Sequence, residues 1–293
     1  MVTRNTARFR GVFSALITPM RANGQIQYTA LEELVELQLS EGVEGFYVCG
    51  SSGEALLLST MERKMVLNAV QKSVGGRVPV LAHVGTIRTD EAIDLAKHAA
   101  DVGVDAVSLI PPYYYRFTMD EICGYYEDVA AAVPGMPVIL YNIPQFTGVS
   151  FHKDNAARLL DNPQFIGVKH TSQNLYDLER IHSAYPDKVL FNGFDEQFLA
   201  ALSMGAAATI GTTVNVFAPL FVKLKQYFLE GKIDAARTEQ THINANVEAM
   251  LKVGIFNAVK YACTLKGIDC GSCRSPFRPL SAEDQETVRT LLA

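Results

Sequence analysis

Short apolar runs alternate with longer amphipathic ones along the first three quarters of the chain. The short runs, rich in β-formers, cover 11–20, 45–50, 79–85, 106–112, 137–143, 165–171, 188–194 and 207–213. Between them apolar positions recur at helical spacing. In 28–41, Leu31, Leu34, Val35 and Leu39 return at three- and four-residue steps, which predicts one buried stripe on a helix. Similar patterns predict helices over 60–74, 90–102, 119–133, 155–160, 175–185, 196–204 and 218–229. Strand alternating with helix predicts parallel strands joined by crossover helices.

An open doubly wound sheet would alternate too. Eight units without a long break or linker favour a closed (β/α)8 TIM barrel, whose usual length is ~250 residues. Gly42, Gly103 and Gly205 follow predicted helices and read as C-terminal stops, while Ser59-Thr60 and Thr89-Asp90-Glu91 read as starts. After Gly231 the strand pattern ends, and 233–253, 256–265 and 282–292 read as helices. The expected organisation is a catalytic barrel over 1–231 with a helical extension, 232–293, packed on it as one structural unit.

Composition narrows the function classes. With 48% apolar and 19% charged residues, the 293-residue chain can bury a large core. A net charge of -5 gives no basic footprint, so neither nucleic acid nor an anionic membrane is an expected partner. No signal-type h-region and no bilayer-length apolar run is evident, which points to a cytoplasmic protein. Five cysteines suit reduced thiols better than a disulfide framework. Cys270-Gly271-Ser272-Cys273 has the spacing of a redox pair or half a zinc site, but no second Cys/His pair lies near it, so no metal is expected.

In such barrels chemistry gathers at the C-terminal ends of the strands. Here those ends are polar: 50–54, 141–144, 169–172, 192–196 and 211–213. Lys169 stands inside the apolar run Phe165, Ile166, Gly167, Val168. Either its head reaches water or a carboxylate where the strand stops, or burial leaves a neutral amine able to attack a carbonyl. Convergence with the other polar strand ends favours the second reading.

Gly50-Ser51-Ser52-Gly53-Glu54 follows the second strand and reads as opening a helix, a cradle of amides and hydroxyls for a carboxylate or phosphate. On spacing alone, an ordinary strand-to-helix turn with a serine cap is the preferred reading. Tyr141 could shuttle a proton or simply pack. Asp195 and Glu196 suit hydrogen bonds to hydroxyls, and equally an exposed helix start. His170 should point away from Lys169, and His83 reads either as a packed strand residue or as a catalyst.

Three segments, Gly50-Ser51-Ser52-Gly53-Glu54-Ala55, Tyr141-Asn142-Ile143-Pro144 with Thr147-Gly148, and Gly167-Val168-Lys169-His170-Thr171, stand in the order and spacing of one family. In these the chain resembles the pyruvate-dependent class I aldolases that include N-acetylneuraminate lyases and dihydrodipicolinate synthases. The resemblance implies a Schiff base between Lys169 and the keto carbon of pyruvate, with no cofactor. It implies proton transfer by Tyr141, and a pyruvate carboxylate held by Ser51 and Ser52, where the family commonly has Thr at the second position. It also implies a homotetramer, with Tyr114 reaching a neighbouring subunit's site.

Dihydrodipicolinate synthases resembling this chain carry an arginine where Phe146 stands. The segment Phe191-Asn192-Gly193-Phe194-Asp195-Glu196 is instead similar to the one with which neuraminate lyases hold a sugar chain. By that match Gly193, Asp195, Glu196 and Thr212 would meet the polyol and Thr171 the keto-acid end, which implies sialic acid cleavage. Another pyruvate aldolase or synthase of the family, or a non-catalytic ligand-binding barrel, are the alternatives.

Overall fold

The computed structural model describes residues 6–292. Eight parallel strands close a barrel in sequence order. They are β1 (Gly11–Ala15), β2 (Gly45–Val48), β3 (Val80–His83), β4 (Ala106–Leu109), β5 (Val138–Asn142), β6 (Phe165–His170), β7 (Val189–Asn192) and β8 (Ala208–Gly211). Helices α1 (Tyr28–Ser40), α2 (Thr60–Val74), α3 (Thr89–Val102) and α4 (Met119–Ala132) follow the first four strands. The short turns α5 (Pro144–Thr147) and α6 (Ala157–Leu160), then α7 (Leu175–Ala184), α8 (Phe198–Ser203) and α9 (Val214–Leu229), complete the ring. Three more helices follow: α10 (Ile233–Val253), α11 (Ile255–Leu265) and α12 (Ala282–Leu292). The helix α10 packs along α9 and against the turn at Asp195–Gln197, which brings the extension over the site end of the barrel. None of the described helices is long and apolar enough to cross a membrane.

Every predicted strand forms, but each is shorter at its C-terminal end than its apolar run, β5 and β6 by one residue and the others by two or more. The runs include residues that leave the ladder to build loops: past β1, Ile17 N–H donates to Asn215 Oδ1 instead of to a strand. Helix boundaries also differ, most tellingly at three places. Arg88 takes the cap position of α3 and makes no side-chain cap bond, so Thr89 is already helical, with Asp90 and Glu91 in the first turn. The helix expected over 196–204 begins as a 3-10 turn, and the one expected from 218 extends back to Val214 across a kink at Phe217. Pro219 explains the kink, since its ring fills the space of the preceding turn and it has no N–H to donate. The Ser59 start holds: Ser59 and Glu62 exchange reciprocal bonds as a capping box.

Two apolar layers result. Val12, Phe46, Val80, Val107, Val138, Phe165 and Val168 face the helices, while Phe13, Tyr47, Leu81, Ile139, Ile166 and Phe191 fill the barrel. One irregularity decides what faces inward on β6. Val138 pairs with Phe165, but the next residue, Ile139, pairs with Gly167, so the ladder skips a residue. Ile166 and, three positions on, Lys169 therefore share the inner face, whereas regular alternation would have turned Val168 and His170 inward. Gly167 is required at this point, because a Cβ there would lie 2.0 Å from the Val189 carbonyl oxygen on β7.

Candidate active site

Lys169 pairs in register with Tyr141 on one side and Phe191 on the other, and all three face into the barrel. Its side chain is only 3% exposed. The Nζ atom lies 4.1 Å from the ring centroid of Tyr47 and 3.9 Å from that of Tyr141. Burial lowers the pKa of this amine, with Tyr141 and Asp195 pulling the other way. Among the described residues none forms an ion pair with it, so the neutral form is favoured by desolvation and the cation by two aromatic faces. His170 turns outward, its Nδ1 3.0 Å from Asn142 Nδ2 and its Nε2 3.0 Å from the Asn174 carbonyl, as the alternation on β6 requires. His83 faces inward instead, buried, with Nδ1 2.9 Å from the Cys49 carbonyl oxygen. Burial, together with Arg63 and Lys169, holds this imidazole well below the usual histidine range.

The loop 50–54 differs from the expected helix opening. Gly53 N–H donates to Gly50 O and Glu54 N–H to Ser51 O, a 3-10 turn follows at Ala55–Leu57, and α2 starts only at Thr60. Any pull on an anion therefore comes from the amides and hydroxyls of Ser51 and Ser52, not from a helix dipole. Neither of those two amides has an acceptor among the described residues. Ser52 Oγ lies 2.7 Å from Thr212 Oγ1, joining the β2 and β8 loops.

Asp195 is buried, which overturns the reading of an exposed helix start at that residue. Its Oδ2 accepts from both the N–H and the hydroxyl of Thr213, each at 2.7 Å, while Oδ1 has no hydrogen-bond partner among the described residues. Burial pushes its pKa up to about 6 despite those bonds. Thr171 Oγ1 is likewise buried without a hydrogen-bond partner among the described residues. A Cβ on Gly193 would lie 1.8 Å from that oxygen, so glycine is what leaves Thr171 its place.

A pocket of about 220 Å³ collects these groups. Lys169, Tyr141, Ser51, Ser52, Thr171, Gly193, Asp195, Glu196 and Thr212 all line it. Tyr114 does not: it stands 86% exposed after β4 with a left-handed backbone (φ 76°), its ring edge-on to Tyr115.

Sequence reasoning passed over several contributors. Val247, Leu251, Ile255 and Phe256, from α10 and α11, form an apolar wall of the same pocket. Tyr47, read only as a strand residue, supplies a ring face to Lys169. Glu54, the last residue of the loop, is buried against Lys260 of α11. A signal for that pair existed, because Lys260 interrupts Ala258, Val259, Ala262 and Cys263 much as Lys169 interrupts β6. The five cysteines are free and buried, and no cluster of metal-binding side chains occurs among the described residues.

A TIM barrel that gathers a desolvated lysine, a tyrosine and an open amide cradle at its strand ends has the architecture of an enzyme class, the carbon–carbon lyases. Within that class the chain belongs to the dihydrodipicolinate synthetase family, which it matches over residues 8–293. It is 40% identical to the N-acetylneuraminate lyase of Rhizobium meliloti (strain 1021) over 286 residues, covering 98% of this chain and 95% of that protein. A catalytic lysine mutant of the sialic acid aldolase from Ruminococcus gnavus superposes with a TM-score of 0.96 at 32% identity, covering 98% of this chain and 96% of that one. A dihydrodipicolinate synthase from Bacillus anthracis superposes at 0.93 with 27% identity, covering 97% of each chain.

Proposed function

We propose that this protein is a Schiff-base-forming class I aldolase, a carbon–carbon lyase that cleaves N-acetylneuraminate reversibly to N-acetylmannosamine and pyruvate. The observation that carries the reading is the buried Lys169 with Tyr141 in a pocket that also holds Asp195, Glu196 and Thr212. The two acids and the hydroxyl suit an uncharged polyol chain. Among the described lining residues Lys169 is the single cation, and Phe146 has no charge to offer a second carboxylate, which disfavours an anionic aldehyde acceptor.

The neutral Lys169 amine attacks the keto carbon of the open-chain sugar acid, whose carboxylate lies on the Ser51 and Ser52 amides and hydroxyls. The Tyr141 hydroxyl supplies the proton with which the carbonyl oxygen leaves as water, so a protonated imine and a Tyr141 phenolate remain. The Tyr141 oxygen takes the proton of the aldol hydroxyl, and the adjacent carbon–carbon bond breaks. Its electron pair flows into the imine to give a neutral enamine, and the hydroxyl-bearing carbon departs as the aldehyde. Tyr141 returns the proton to the enamine carbon, and water then hydrolyses the protonated imine to pyruvate and free amine, the proton released going back to the Tyr141 oxygen. No cofactor is required, because the imine is the electron sink.

The relative from Ruminococcus gnavus, whose catalytic residue is a lysine, supports this assignment. Gly193 and Thr171 would hold the polyol and keto-acid ends respectively. The exposure of Tyr114 supports a part in a neighbouring subunit's site, within a cytoplasmic homotetramer.

The test is pyruvate release from N-acetylneuraminate by the purified protein, with Lys169→Ala alongside. Release by the wild type, reduced at least ~1,000-fold in the variant, is the expected result. Near-normal turnover by Lys169→Ala would remove the Schiff base. Faster turnover of aspartate semialdehyde with pyruvate, or of a keto-deoxy sugar acid, would move the protein to another branch.

A further inference from the structure

Tyr47 has no part in the mechanism above, yet its ring is as close to the reacting nitrogen as that of Tyr141. Lys169 Nζ is 4.1 Å from the Tyr47 centroid and 3.9 Å from the Tyr141 centroid. The two rings stand at 87° with centroids 5.9 Å apart, so they form two walls of a corner around the nitrogen. The His83 ring completes it, 6.1 Å from Tyr47 and 5.9 Å from Tyr141. The hydroxyl of Tyr47 is engaged elsewhere, 3.1 Å from Ser108 Oγ on β4, which leaves the ring face as what the lysine meets. The ring is fully buried, and Gly50 makes room for it: a Cβ on Gly50 would lie 2.6 Å from the Tyr47 ring. The first glycine of the cradle loop is thus shaped around this tyrosine.

We propose that Tyr47 is a further catalytic residue, whose ring face stabilises the protonated imine on Lys169 by a cation–π contact. The inference rests on the aldolase reading and deepens it. When the neutral amine and the keto group condense, the carbonyl oxygen leaves as water and a positive charge appears on the nitrogen of an almost wholly buried side chain. Neither Tyr141 nor Asp195 can serve as a fixed counter-charge through the cycle, the first because it moves protons, the second because its Oδ2 is committed to the N–H and hydroxyl of Thr213. The Tyr47 face is constant. It neither gives nor takes a proton, so it favours the cation at every step in which the imine exists. A desolvated contact of this kind corresponds to about thirty-fold in the imine equilibrium.

The experiment traps the imine formed with pyruvate alone, using borohydride and reading the added mass on the protein against pyruvate concentration and pH. Tyr47→Phe keeps the face and should half-saturate within ~3-fold of wild type. Tyr47→Leu should need about thirty-fold more pyruvate. Its acid limb should also move to lower pH, because Lys169 loses a group favouring its ammonium form, with Tyr141, Asp195 and His83 still facing it. A trifluorinated phenylalanine at position 47 preserves shape while draining the ring's negative face, and should fall between the two, which separates electrostatics from packing. Trapping by Tyr47→Leu or the fluorinated variant indistinguishable from Tyr47→Phe would overturn the proposal. Failure of wild type to trap pyruvate would instead overturn the aldolase reading itself.

Discussion

Glu54 and Lys260 form an ion pair, Oε1 to Nζ 2.5 Å, with each side chain 1% exposed. Glu54 closes the Ser51–Ser52 loop in a left-handed conformation (φ 58°), and Lys260 lies on α11, whose first turn carries Phe256 of the pocket wall. The other carboxylate oxygen accepts the Arg274 N–H at 2.7 Å, and Lys260 also donates to Ser272 O at 3.2 Å. One buried carboxylate therefore fastens the cradle loop, α11 and the segment 272–274 together.

Removing one partner leaves the other charge buried without compensation. Glu54→Gln should lower unfolding free energy by roughly 3–5 kcal/mol in denaturant titration, while Glu54→Gln with Lys260→Met should recover most of that loss. Because the anchor holds the cradle, Glu54→Gln should also raise KM for the keto acid more than it lowers kcat. Unchanged stability in the single variant would show the pair to be idle.

The barrel was legible because eight apolar runs separated by helical stripes leave few other topologies, and because the turn signals fell between them. The site was legible as far as it consists of polar residues at strand ends: Lys169, Tyr141, Ser51, Ser52, Thr171 and Asp195 meet in one pocket. What stayed hidden depends on contacts across the chain. No local pattern announces that β6 skips a residue opposite Ile139, yet that skip is what turns Lys169 inward. The burial of Asp195 follows from α10 packing over its turn, where Gln240 donates to its carbonyl at 3.0 Å, forty-five residues away in sequence. The Tyr47 ring face and the Phe256 wall are likewise products of closure.

Asp195 gives a pH prediction with a definite sign. Its pKa rises from the ordinary 3.8 to about 6 in the folded protein, chiefly by burial. The native state therefore binds this proton more tightly than the unfolded chain, and ionisation costs stability as pH climbs from about 3.8 through 6. The penalty is absent below that window and fully present above it, on the order of 3 kcal/mol. Asp195→Asn cannot ionise. The wild-type minus variant stability difference, measured by denaturant titration at steps from pH 3.5 to 7.5, should fall with rising pH and then level off. A flat difference would show that Asp195 titrates as an ordinary exposed carboxyl.

Gly193 and Thr171 supply the last prediction, because one has no side chain so that the other can have one. A methyl group at Gly193 would approach Thr171 Oγ1 to 1.8 Å and its Cβ to 2.8 Å. Thr171 has little freedom to retreat: it is buried, and its N–H donates to Asn142 O at 2.8 Å, which ties its backbone to β5. In Gly193→Ala the threonine hydroxyl must therefore rotate or the β7 loop must move, and either change misplaces a free hydroxyl beside Lys169. Misplacement of this kind typically costs ~100-fold in turnover efficiency. Thr171→Ala alone should lose less, since it removes one hydrogen bond and leaves the loop in place. With Thr171→Ala and Gly193→Ala together the methyl gains space, so the double variant should turn over faster than Gly193→Ala alone. Strictly additive losses in kcat/KM across this cycle would show that the two residues do not share the same space.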